Sequence, residues 1–173
     1  MEVCDDSGFL AIVVPASYPS FVAGDWDFER LRSHFCGQMV RRSMLIWGTG
    51  LEGLWRVEVR VGGPPVRGFR EVVGPVRVAG GSVLVTSYDG LTMAAQFADV
   101  SLPQDHERDQ LIEVPDGDYA CRVVQMFDPE ATDSAGDGSP DFVIVLGESS
   151  VVVPAWSDIP WFTDAAPGTS FGD

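Results

Sequence analysis

The stretch Leu54-Trp-Arg-Val-Glu-Val-Arg-Val61 decides the fold. Trp55, Val57, Val59 and Val61 lie on one face of an extended chain, and Leu54, Arg56, Glu58 and Arg60 on the other. This period of two belongs to a strand buried on one side and charged on the other. Outward from it, short apolar runs recur between turn residues. Phe9 to Val14 closes at Pro15, and Met44 to Trp47 closes at Gly48-Thr-Gly50. Glu71 to Val78 is interrupted by Gly74-Pro75, which predicts a bent or edge strand. Ser82 to Tyr88 is a strand, with Asp89-Gly90 as a hairpin-type turn and Met93 to Val100 as the next strand. Leu111 to Val114, Tyr119 to Phe127 and Asp141 to Leu146 complete the series. One helix is expected over about 26–36, N-capped by Asp25 or Asp27, with Phe28, Leu31 and Phe35 at helical spacing. Strands that do not alternate with helices argue against a parallel α/β sheet. The expected architecture is mainly β: an antiparallel β-sandwich or barrel of about eight or nine strands with one short N-terminal helix. A single domain over 1–173 is expected, with an aromatic C-terminal tail over about 151–173.

Charge is divided sharply along the chain. Residues 1–88 hold nine Asp/Glu and nine Arg; residues 89–173 hold seventeen Asp/Glu against Arg108 and Arg122 alone. The second half therefore carries a net of −15, equal to that of the whole chain, and there is no Lys. Such a surface disfavours nucleic acid and anionic membrane and favours a partner with a basic surface. No run approaches eighteen apolar residues, and the acidic start MEVCDDSGFL lacks the basic residues of a signal peptide. A cytoplasmic location is expected. Cys4, Cys36 and Cys121 have no zinc or redox spacing and are expected to be buried free thiols.

Few constellations carry chemistry. The acids of the loop Asp128 to Asp141 invite a calcium reading, but Ala135 stands where an EF-hand needs a ligand two residues after Asp133. A solvated loop is the expected outcome. Asp105-His106-Glu107-Arg108-Asp109 places the second half's one His among carboxylates, as a general base or a surface connection. Cys36 with His34 or His106 lacks any flanking motif of a cysteine hydrolase. Trp47 and Trp55 are expected in the core. Trp156 and Trp161 are expected either to anchor a protein interface or to pack the tail across a sheet.

Taken in order, these segments resemble the competence protein J family of nuclease inhibitors. The likeness lies in an opening strand, a Trp-led short helix from Trp26, and Gly53-Leu-Trp-Arg-Val-Glu-Val59 after a Gly-rich turn. Pro75-Val-Arg-Val78, Val83 to Tyr88, and the phrase Val114-Pro-Asp-Gly-Asp-Tyr-Ala120 follow. The likeness spans about residues 9–147; the 128–140 loop and the aromatic tail depart from it. The resemblance implies a β-rich protein that neutralises a nuclease by binding it, and it supplies no catalytic residue.

Charge and resemblance together predict a non-enzymatic bacterial inhibitor, immunity protein or antitoxin that neutralises a basic toxin or nuclease domain, with no cofactor and no metal. The expected partner-binding residues are Asp105, Glu107, Asp109, Asp116, Asp118, Asp128, Glu130, Asp133, Asp137, Trp156 and Trp161. Two alternatives stay open. In one, these acids serve solubility alone; in the other, a β-barrel enzyme or small-ligand binder holds its site around His106.

Overall fold

A computed structural model describes residues 1–131, 138–148 and 153–162. Among these residues are nine strands: β1 (Glu2–Asp5), β2 (Phe9–Val13), β3 (Met44–Gly48), β4 (Gly53–Val61), β5 (Arg70–Val78), β6 (Ser82–Ser87), β7 (Leu111–Glu113), β8 (Gly117–Gln125) and β9 (Phe142–Glu148). They form two sheets, ordered β1-β4-β9-β8-β5 and β3-β2-β6-β7, stacked as an open sandwich rather than a closed barrel. Every pairing is antiparallel except β4 with β9, which run parallel from Val57 beside Phe142 to Val61 beside Leu146. Strand alternation is the same in both kinds of pair, so nothing in the residue pattern announced that exception.

The alternation of β4 survives in the structure. Trp55 and Val57 are buried, while Arg56, Glu58 and Arg60 face outward and Arg60 pairs with Glu58 at 2.6 Å. The pattern weakens at the strand's end, where Val61 is exposed. The unbroken apolar runs have a different cause. Both β2 and β3 are buried at every position. Trp47 meets Phe142 of the facing sheet, whereas Phe9 meets Tyr88 on the opposite side. The helix α1 (Phe28–Val40) and the helix α2 (Tyr88–Gln96) supply the cover for that outer side. Asp27 caps α1 by accepting the Arg30 N–H at 2.8 Å, and Leu31, Phe35 and Met39 face the sheet.

Helix α2 corrects the sequence reading of a hairpin turn at Asp89-Gly90 and a strand from Met93. Leu91, Ala94 and Ala95 are buried at spacings of three and four. Gly90 is there for space rather than for a turn. An added Cβ would collide with the Thr86 hydroxyl and the Glu107 carboxylate. The strand β1 was also hidden, because its burial alternates over four residues only.

The described part of the C-terminal tail, 153–162, closes the seam between β3 and β5. Gly48 N–H donates to Pro160 O at 2.9 Å, and Trp156 Nε1 donates to Val73 O at 2.9 Å. Arg32 of α1 is paired with Asp158, whose carboxylate also accepts the Ile159 N–H at 2.7 Å.

At one end of the sandwich the Asp5 carboxylate is wholly buried and accepts four hydrogen bonds. Ser7 N–H and Phe9 N–H reach it at 3.1 Å, Thr49 Oγ1 at 3.1 Å and Trp55 Nε1 at 3.2 Å. No Arg lies within ion-pair distance of it among the described residues. Asp5→Ala strands these donors and is expected to cost about 3 kcal/mol or more; Asp5→Asn retains part of the set and costs about 1–3 kcal/mol. Urea unfolding measures both, and equal stability of Asp5→Ala and the parent contradicts the assignment.

Candidate functional site

A cleft of about 380 Å³ opens beside the outer edge of β1. Val3, Cys4 and Asp6 form one wall, Ser87, Asp89, Gly90 and Met93 a second, and Gln104, His106, Glu107 and Gln110 a third. The third wall is a short 3-10 helix, Asp105–Gln110, where the sequence predicts a polar connection. It is fixed by a reciprocal cap. Glu107 N–H donates to Gln104 O at 3.0 Å, Gln104 N–H donates to Glu107 Oε2 at 2.8 Å, and Gln104 Nε2 reaches Gly90 O at 3.3 Å. The other oxygen of Glu107 accepts the Thr86 hydroxyl.

Glu107 is therefore 3% exposed and holds the wall from inside. It does not present a carboxylate to a partner, which corrects its place among the expected contact residues. Asp105, His106, Arg108 and Asp109 are exposed on the same turn, with Asp105 paired to Arg108 at 2.8 Å. That pair is fully solvated and adds little to stability. Asp6 and Asp89, which the sequence reading did not single out, complete the acidic rim. Ser7 Oγ donates to Asp89 at 3.4 Å. Among the described residues, no Arg stands within ion-pair distance of Asp6, Asp89 or Asp109.

The other expected contacts lie elsewhere. Asp116 accepts the Gly81 N–H at 2.7 Å, and Asp118 pairs with Arg77 at 2.9 Å and Arg42 at 3.4 Å. Arg77 in the first place, then Arg42, holds the Asp118 carboxyl below its usual range. These two acids sit at the start of β8 and Asp128 follows its end, so nine extended residues, about 30 Å, separate them. Asp128 and Glu130 lie at the same end of the strands as the cleft but across the sheet from it. There Asp128 accepts the Glu130 N–H at 2.9 Å, and Pro129 packs against Gly50. Asp133 and Asp137 lie outside the described residues. Asp141 is engaged by Arg56, whose N–H it accepts at 2.8 Å. Trp156 is 7% exposed inside the closed seam, and Trp161 is half-buried with the Arg70 guanidinium 4.4 Å above its ring. Of the two open readings, these contacts favour tail packing over an exposed anchor.

The cleft contains a thiol and an imidazole, Cys4 and His106, but its electrostatics oppose a thiolate. Cys4 is exposed, contrary to the expected buried thiol. Asp6 above all, then partial desolvation and the nearby Asp89 and Asp5, push its thiol up from the ordinary value. Burial raises Cys36 to about 11 and Cys121 to about 12. A nucleophilic cysteine needs the opposite shift. What the rim offers is the carboxylates of Asp6 and Asp89, with no Arg partner among the described residues, beside the apolar side chains of Val3 and Met93, a receptor for cationic side chains with aliphatic stems.

Two outcomes follow. Because Asp6 raises the Cys4 thiol pKa, Asp6→Asn lowers it and increases the thiolate fraction at pH 8; iodoacetamide alkylation of Cys4 should then run severalfold faster, and an unchanged rate contradicts the coupling. Gly90→Ala forces Thr86 and Glu107 apart and should cost about 1–3 kcal/mol in thermal or urea unfolding. Against known proteins, no family model matches the chain, and no curated protein matches it. Two solved structures do, each over 86% of this chain and 94% of its own: "Crocagin biosynthetic gene J", with 14% identity and a TM-score of 0.57, and "ComJ, inhibitor of the DNA degrading activity of NucA, from Bacillus subtilis", with 11% identity and a TM-score of 0.52. At these identities the likeness is one of fold, and the resemblance to competence protein J-like proteins read from the sequence holds at that level.

Proposed function

We propose that this chain is an acidic inhibitor or immunity protein that binds and neutralises a basic toxin domain, foremost a nuclease. The observation that carries the reading is the uneven pairing of its acids. At the start of β8, Asp118 is neutralised by two Arg, whereas Asp6 and Asp89, which line the cleft, and Asp109 on the adjoining 3-10 turn have no Arg within ion-pair distance among the described residues. A nuclease groove is lined by cations that neutralise phosphates, and carboxylates held at one end of a rigid sandwich present the same charge to that groove. Opposite potentials also steer association, which benefits a cell that must capture a lethal enzyme quickly. The fold likeness to ComJ, described as an inhibitor of a DNA-degrading activity, supports the reading. In this reading the chain acts by binding rather than by chemistry, inside the cell that makes it.

One observation favours a second reading. The cleft holds His106, and its volume of about 380 Å³ lies at the small end of ligand pockets. The other fold neighbour is named for a biosynthetic gene, not for an inhibitor. In this reading the cleft takes a small cationic ligand.

The test is DNA degradation by a basic nuclease domain encoded beside this chain's gene, with and without the protein. Inhibition is expected, with an association rate that falls at least about tenfold from low to high salt. The triple variant Asp6→Lys, Asp89→Lys, Asp109→Lys should slow association by at least about tenfold at low salt. An unimpeded nuclease, or the same on-rate for parent and triple variant, contradicts the reading.

A further inference from the structure

We infer that the outer edge of β1 takes up an extended, basic segment of the partner as an added antiparallel or parallel strand. The inference deepens the inhibitor reading and rests on it for the partner's charge. Among the described residues, strand β1 is the terminal strand of its sheet and pairs only with β4. Its hydrogen-bond phase is fixed by Met1 and Val57, which exchange both bonds: Met1 N to Val57 O at 3.0 Å and Val57 N to Met1 O at 2.9 Å. Antiparallel ladders alternate, so Val3 and Asp5 also turn their backbone groups toward β4. Glu2 and Cys4 therefore turn theirs away, toward the open edge, where no backbone partner meets them among the described residues.

The two sides of the sandwich differ here. The seam between β3 and β5 is closed by the segment 153–162, whereas the seam beside β1 is bordered by two hollows. One is the acid-rimmed cleft, and the other, of about 550 Å³, runs from Met1 and Glu2 to Ile112 of β7. Exposed strand edges are templates for pairing, and proteins blunt them with short strands, charged side chains, Pro, bulges or cover; β1 is four residues long and relies on charge. This edge has no Lys or Pro. It has carboxylates: Glu2 on the strand, Asp6 just beyond it and Asp89 across the cleft.

Charge selects the occupant. A second copy of this chain would place the acids of two β1 edges against each other, and each chain carries a net −15. A segment with Lys or Arg at alternate positions gains the outward backbone bonds of Glu2 and Cys4 and sets its cations against Asp6 and Asp89. Backbone pairing supplies affinity in this mode, and the side chains on either face supply selection.

The probe is a synthetic peptide of alternating Lys and Val, seven residues long and blocked at both ends, titrated into the isotope-labelled full chain. The expected result is saturable binding with shifts centred on the Glu2 and Cys4 amides and on the cleft residues. Those two amides should also exchange with solvent at least tenfold more slowly. A Glu/Val peptide of the same length should not bind. Cys4→Pro removes the outward N–H and the thiol but no bond of the ladder to β4, so it should fold as the parent does and lose at least tenfold in peptide affinity, whereas Cys4→Ala, which removes the thiol alone, should bind as the parent does. Val3→Pro breaks the ladder to β4 and serves as the folding control. Absence of Lys/Val binding, shifts away from β1, unchanged affinity in Cys4→Pro, or self-association through β1 would overturn the inference. Failure of the inhibitor reading is seen separately, as nuclease activity that the parent protein leaves untouched.

Discussion

The buried carboxylate of Asp5 organises the end of the molecule where the candidate site lies. Two of its hydrogen bonds come from backbone amides of the turn between β1 and β2, one from Thr49 after β3, and one from the indole of Trp55 in β4. It thus ties both sheets together at one point. A charge buried without a cation is tolerated only when donors replace its hydration, and four donors do so here. The same constraint aims the next residue. With Asp5 committed inward, Asp6 turns out onto the cleft rim, where it raises the Cys4 thiol and faces Asp89. Two adjacent acids therefore have opposite fates, one structural and one available.

The acidic composition resolves into three populations. Some carboxylates hold the fold from inside, as Asp5 and Glu107 do. Others are neutralised by the few Arg, as Asp118, Asp141 and Glu71 are. A third group has no Arg within ion-pair distance among the described residues; it includes Asp6 and Asp89 on the cleft, and also Glu52, Asp99, Glu113 and Glu130 away from it. The net charge of −15 is a property of the whole chain, but the acids beside β1 sit on a frame of strand, helix and capped turn. A preorganised frame lowers the ordering cost of binding, and localised charge sets direction as well as rate.

Much of the fold was legible in the sequence because alternation is a local signal. Trp55 and Val57 stated their face, and Phe28, Leu31 and Phe35 stated a helix. The failures have physical reasons. Asp89-Gly90 looks like a hairpin turn, but its glycine makes room for the Thr86–Glu107 contact, and that contact is visible only once a residue seventeen positions later folds back. The short strand β1 offers too few residues to show a period. The parallel pairing of β4 and β9 depends on where the intervening chain runs. The site was half legible. The sequence singled out the 105–109 turn through its charge, but not that Glu107 turns inward or that Asp6 and Asp89 complete the rim. Those facts require the packing of β1 and of α2 against β6.

The most direct test of the central claim, that the β1 end carries the binding surface, is a hydrogen-exchange footprint of the basic nuclease domain on the intact protein. Slowed exchange confined to residues 2–6, 87–93 and 104–110 is expected. Protection centred instead on the Arg77–Asp118 end of the sandwich, or on the closed seam at 153–162, would contradict it.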